Sequence, residues 1–293
     1  MLSIFTSITQ EHKTALVTSA ATITAVAILA RHLSSSSKAA SKLKASKATP
    51  QVPILIAGLF QTKSFPIASP FVQKLAAVFR AAKFPVSVEG MPNCPPTKSR
   101  KVPGLYYKGE TLEDSELIVK RLVADGVIAQ HPNAWLDPVT KANAEMFRLS
   151  IENFIYYRLG KERWIDHFDK TMREYLGALK GLFFLFVYSI LRFTVRPGIV
   201  DTSYRLGITR YSEEAWVDME TQFWNNASAI LGDKKYFFSN ERMCMADYSA
   251  FGTLANVIEL PELTPKLNAA VIRHENLVAF VARVKKELYP ELC

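Results

Sequence analysis

The stretch Val102-Pro103-Gly104-Leu105-Tyr106-Tyr107, Lys108-Gly109-Glu110, Thr111-Leu112, Glu113-Asp114-Ser115 decides the fold. The apolar and aromatic run after a proline reads as a strand, Lys108-Gly109-Glu110 as a hairpin turn and Thr111-Leu112 as the return strand. Asp114-Ser115 opens a helix that carries Leu117, Ile118 and Leu122. Upstream, Val52 to Phe60 (VPILIAGLF) is an apolar run of strand length, closed by the polar, Pro-containing loop Gln61 to Ala68. Ser69-Pro70 supplies an N-cap and a first-position proline, and Phe71, Leu75, Val78 and Phe79 recur at helical spacing to about Lys83. Pro85 to Glu89 alternates like a second strand, and Met91 to Lys101 is a Pro-rich basic loop. Strand, helix, strand, loop, strand, hairpin, strand, helix is the thioredoxin-like order, expected over residues 51–128.

Residues 129–293 read as an all-α domain. Asp137-Pro138 caps a helix to about Gly160 with Met146, Leu149 and Ile155 among its apolar positions. Ser212, with Glu213 and Glu214 in the first turn, caps another that stops before Gly232. Two more are expected at about Cys244 to Ile258 and Asn276 to Leu288. Leu182 to Leu191 (LFFLFVYSIL) is too short to span a bilayer. Met172, Tyr175, Leu176 and Leu179 precede it at helical spacing, which predicts one long helix whose C-terminal half is core, with membrane contact as the alternative.

The chain has 293 residues, 49% hydrophobic, enough for a sizeable core and an additional segment. Thr14 to Ala30 is an uncharged apolar run near the short limit for crossing a hydrocarbon layer of ~30 Å, and it predicts a single membrane anchor. Ser34 to Thr49 reads as a flexible Ser/Ala/Lys linker, so residues 1–50 form anchor and basic linker. Basic residues follow the apolar run, which by the positive-inside rule leaves the folded part in the cytosol, on the mitochondrial outer membrane or the endoplasmic reticulum. The alternative reading is a cleaved mitochondrial presequence, because the arm is nearly free of acids. The net charge of +9 is concentrated in that arm, which leaves too little on the rest for a nucleic-acid footprint. Cys94, Cys244 and Cys293 form no C-x-x-C and no metal-ligand spacing, so neither a disulfide framework nor a metal site is expected.

With these elements in place, the chain resembles the glutathione transferase superfamily over nearly all of residues 52–289. Within it the chain is similar to the branch of the failed axon connections proteins and the metaxins. Ser69-Pro70-Phe71 with Lys74-Leu75 matches the branch's first-helix pattern. Gly207-Ile208-Thr209-Arg210-Tyr211-Ser212 resembles its Gly-x-x-Arg-His-Ser segment, with Tyr211 in place of His. Met245-Ala246-Asp247-Tyr248 and Phe251-Gly252 extend the likeness, with Asp247 at the position of the buried helix aspartate and Cys244 where Ser or Thr usually caps.

The resemblance implies glutathione as co-substrate and no metal. Ser69 would hydrogen-bond the thiol at a helix N-terminus, holding it as a thiolate. Val102, before a cis Pro103, would offer its backbone to the peptide, and Asp114 and Ser115 would receive the γ-glutamyl end. Each has a plainer reading: Ser69 and Asp114-Ser115 as ordinary caps, Pro103 as a turn former, Lys74 as a solvated surface charge. The partners implied are glutathione and a small apolar electrophile, with a homodimer compatible. The alternative is a non-catalytic docking protein within a membrane complex, in organelle membrane organisation or protein import.

Overall fold

A computed structural model of the chain describes residues 52–58, 65, 67–90, 97–99, 101–177 and 179–293. The apolar run Thr14 to Ala30, the linker and Cys94 lie outside the described residues. Four short strands, β1 (Ile54–Gly58), β2 (Ser87–Gly90), β3 (Gly104–Tyr107) and β4 (Glu110–Glu113), form one sheet in the order β2-β1-β3-β4. β1 and β2 run parallel and are joined through α1 (Pro70–Ala81); β3 lies antiparallel to both β1 and β4. This is the thioredoxin-like arrangement. Strand alternation sorts the sheet's side chains: Leu55, Ala57, Leu105 and Tyr107 join the main core, while Ile54, Ile56 and Tyr106 form a small cluster with Val102 on the opposite face. α1 buries Val72, Leu75, Val78 and Phe79 at i, i+3, i+6 and i+7, and α2 (Ser115–Ala124) buries Ile118 and Leu122.

The helical half begins with α3 (Pro138–Ser150), which passes through a π turn (Ile151–Ile155) into α4 (Tyr156–Lys161) and a second π turn (Glu162–Asp166). Ile151, Ile155 and Leu159 face the core, whereas Met146 and Leu149 point outward. α5 (Phe168–Tyr175), α6 (Gly181–Ile190), α7 (Arg196–Arg205), α8 (Glu213–Leu231), α9 (Met245–Ile258), α10 (Pro265–Val271) and α11 (Glu275–Leu288) follow. α9 is the central helix, buried from Met245 to Val257. At its start Asp247 accepts from the backbone N–H of Phe237 and of Cys244, at 2.7 and 2.8 Å, and the Cys244 thiol donates to the same carboxylate. The cysteine thus retains the capping geometry that a hydroxyl residue would give.

One expectation fails here. Met172 to Leu191 is not a single helix with a buried C-terminal half, because the chain breaks between Tyr175 and Gly181, the latter at φ 58. The buried part is upstream, at Phe168, Met172, Tyr175 and Leu176. α6 carries no buried residue, and Leu182 is 84% exposed. The helical path also runs on through a π turn (Leu191–Val195) and α7, 25 residues from Gly181 to Arg205, which among the described residues is the one helix long and apolar enough to cross a membrane.

Candidate functional site

The register gathers two of the predicted site stretches beside the end of β1, at one end of the sheet. Gly104 pairs with Ile56 of β1 on one side and Glu113 of β4 on the other. Val102-Pro103, just before β3, therefore lies beside Asp114-Ser115, just after β4, and beside Gly58 at the end of β1. The Val102–Pro103 peptide is cis, as expected. Gly58, at φ 91, leaves room for Val102: a Cβ there would sit 3.3 Å from Val102 Cγ1. Lys98 and Ser99 lie at the same end, where the Glu113 carboxylate accepts from their backbone N–H groups.

Ser69 caps α1 from extended backbone, its hydroxyl accepting from Val72 N–H at 3.5 Å, a long bond. Its half-buried side chain stands at a helix start without an acidic residue in the first turn. The segment just before it is held mostly by the helical half. Arg163 donates to Ala68 C=O at 2.9 Å and to Asn256, and Asn256 donates to Ile67 C=O at 3.0 Å. Gln73 accepts from Ile67 N–H and donates to the Tyr289 hydroxyl at 2.8 Å. Arg163 and Asn256 lie more than ninety residues from the segment they hold, and no local pattern marks them.

Asp114 sits at φ 69 and ψ 127, outside the basins open to L-residues, a conformation costing of order 1–3 kcal/mol. There its carboxylate accepts from Glu116 and Leu117 N–H at 2.9 and 3.1 Å and caps α2. Ser115, the first residue of α2, is buried, and its hydroxyl lies 3.4 Å from Lys74 Nζ.

Lys74 is not a solvated surface charge. It is 1% exposed, and its ammonium lies 2.8 Å from both Glu116 and Glu152. Arg148 bonds Glu145 and Glu152, Ser249 donates to Glu152, and His131 lies 3.6 Å from Glu116. Burial alone would raise the Glu116 carboxyl, but His131, Lys74 and Arg148 outweigh it and hold it down at about 2. This buried ion cluster joins α1 and α2 to α3, its π turn and α9, immediately behind Ser115. A cavity of about 10 Å³ beside it, lined by Phe71, Lys74, Glu152, Tyr156 and Ser249 among others, has room for one water and none for an organic substrate.

The fold and this sheet end define a thioredoxin-like domain joined to an all-helical one. The sequence matches the glutathione S-transferase N-terminal domain over residues 70–171 and the glutathione S-transferase C-terminal domain over residues 223–284. The chain belongs to the glutathione-transferase-like superfamily. Among solved structures it is similar to a glutathione transferase from Pseudomonas putida with one glutathione disulfide bound per subunit. That likeness has 11% identity and TM-score 0.50, and covers 86% of this chain and 97% of that one. A glutathione S-transferase from Methylobacterium radiotolerans, in complex with glutathione sulfonate, aligns at 15% identity and TM-score 0.48, with 83% and 93% covered. At these identities the likeness to the Pseudomonas protein speaks to the fold. Among the described residues no cluster of His, Cys, Asp and Glu could hold a metal ion.

Proposed function

We propose that the protein is a glutathione transferase whose site is the sheet end formed by Ser69, Val102-Pro103 and Asp114-Ser115. The observation that carries the reading is the register, which brings the backbone before a cis proline beside a strained helix cap at the end of β1 that leads to Ser69. Val102 presents its backbone to the peptide of glutathione, and the N-terminus of α2 with Asp114 and Ser115 takes the γ-glutamyl carboxylate and ammonium. Ser69 and the N-terminus of α1 stabilise the thiolate. The thiolate attacks an apolar electrophile, forming the S–C bond as the leaving group departs with its electron pair, and the thiol proton passes to solvent. Thr14 to Ala30 anchors the protein in the mitochondrial outer or endoplasmic reticulum membrane, with the folded part in the cytosol.

A second reading, a docking protein of the failed axon connections and metaxin branch, is favoured by one observation: Ser115 is turned toward the buried Lys74. Titration of the full chain in detergent with glutathione separates the two. Transferase function gives a heat of binding and conjugation of a generic aromatic electrophile. Ser69→Ala lowers that rate while circular dichroism stays unchanged. Absence of binding at millimolar glutathione in a folded preparation rejects the transferase reading.

A further inference from the structure

We infer that the helical path from Gly181 to Arg205 lies flat in the surface of an anionic membrane, with the outward side of α6 seated among the lipids. The inference is independent of glutathione binding. One side of α6 is already occupied: Phe184, Val187 and Tyr188, with Leu191 one turn on, pack against Phe168, Met172, Leu176, Leu260 and Leu263. Leu182, Leu185 and Phe193 point away from that cluster and are 84%, 55% and 72% exposed. A helix of a soluble domain places charged residues on its outward side. From Gly181 to Leu191 there is no charge on any side. Exposed apolar surface of this kind marks an interaction site.

Charge identifies the occupant. Residues 180–210 hold five basic residues, Lys180, Arg192, Arg196, Arg205 and Arg210, against Asp201 alone, a net +4. The chain carries 36 basic and 27 acidic residues, and removing the six and one of residues 1–50 leaves 30 and 26 from residue 51 onward, also +4. The excess positive charge of the folded part is therefore that of this one segment. Arg196 is held by the body, and Arg192 and Arg205 are ion-paired with Asp169 and Asp201, so fewer than five charges meet the headgroups at full strength. Two copies meeting face to face would still bring like charges together, whereas anionic headgroups complement each basic residue they reach at about 1 kcal/mol.

The orientation follows from two further contacts. The inward side of α6 is packed on the body, and Arg196 donates to the carbonyls of Trp164 and Ile165 at 3.2 and 3.1 Å. A spanning orientation would break both contacts. A flat one leaves them intact and sinks the apolar side ~5–10 Å into the headgroup boundary. The site is then carried close to the lipid surface, because the cluster under α6 includes Ala68, the residue before Ser69.

The test uses the full chain with Cys94 and Cys293 changed to Ser, leaving buried Cys244, and a polarity-sensitive dye on Phe193→Cys. A dye on Val139→Cys, exposed on α3, serves as the reference. With phosphatidylserine-containing vesicles, emission at 193 shifts to the blue and is quenched more by shallow than by deep nitroxide lipids. Position 139 stays aqueous, and pure phosphatidylcholine gives a much smaller shift. Adding Leu182→Asp and Leu185→Asp lowers the shielded fraction at 193 roughly tenfold or more, because each loses the transfer of a leucine side chain. Three results overturn the inference. Position 193 stays aqueous on vesicles that retain the protein, the deep quencher dominates, or the dye is shielded without vesicles, whether by a second copy in a concentration-dependent way or by the chain's own N-terminal segment.

Discussion

Replacing Gly252 with alanine separates a packing role from a helix-propensity role at the contact between the two halves. Gly252 lies in the middle of α9, and a Cβ built there would stand 2.5 Å from Pro70 C=O, 3.0 Å from Lys74 N and 3.4 Å from Lys74 Cα. All three are backbone atoms of α1 that no rotamer change can clear. To bring the oxygen to the ordinary 3.4 Å, α9 and α1 must part by about 0.9 Å, the difference between 3.4 and 2.5. Neither helix is free to do so. Asn256, one turn on, is bonded to Ile67 and to Arg163, and Lys74 is locked between Glu116 and Glu152. Overpacking costs about 3 kcal/mol at the upper end, and alanine's better helix propensity returns about 1 kcal/mol, so the net loss is about 2 kcal/mol. For a chain of this size that lowers the melting temperature by roughly 4–8 °C. Gly160→Ala in α4 is the matched control: its Cβ meets nothing within 4 Å, so propensity alone acts. That variant gains about 1 kcal/mol and melts a few degrees higher. Differential scanning calorimetry of both variants beside the parent is the assay. A Gly252→Ala protein that melts at or above the parent would refute the reasoning, because the two helices would then part at no cost.

Lys74→Met removes the cation from between Glu116 and Glu152 and destabilises the protein by about 3–5 kcal/mol in urea melts. Adding Glu116→Gln recovers part of that loss, whereas strict additivity would mean that the two residues do not interact. Burial pushes Glu162 up to about 7, against the pull of Arg158 and the N–H groups of Lys266 and Leu267. Its folded pKa exceeds the ordinary 4.5, so its contribution is full below about 4.5 and is lost as pH rises through about 7. Parent stability therefore falls across that window, and the slope of urea midpoints against pH flattens in Glu162→Gln.

The thioredoxin-like half was legible because its signals are local. A strand needs about five residues, a cap needs two, and the cis proline and the Asp114 cap fall where the strings place them. The helical half was legible in outline, since Ser212, Gly232 and the run before Ile258 mark their helix ends directly. Two features were misread, and both depend on what lies across the fold. Lys74 carries the same letter whether it points to solvent or to Glu116 and Glu152, and those acids are 42 and 78 residues away. Leu182 to Leu191 has the composition of a core helix, but hydrophobicity records what a segment avoids and not what covers it. Gly177 and Gly181 were the local hint that the chain turns before that run.

The misreading of Lys74 bears on how the candidate site holds its shape. Ser69 and Ser115 start two different helices of the thioredoxin-like half, yet residues of the helical half stand behind both. Arg163, Asn256 and Tyr289 fix the segment entering α1, while Glu152 and Arg148 hold Lys74 and Glu116 at the start of α2. An isolated thioredoxin-like half would leave Lys74 with one acid of its pair and the backbone before Ser69 without its arginine. The two helix starts are thus set by the contact between the halves. A change that loosens that contact, as Gly252→Ala does, disturbs the spacing of both serines while leaving their own residues untouched.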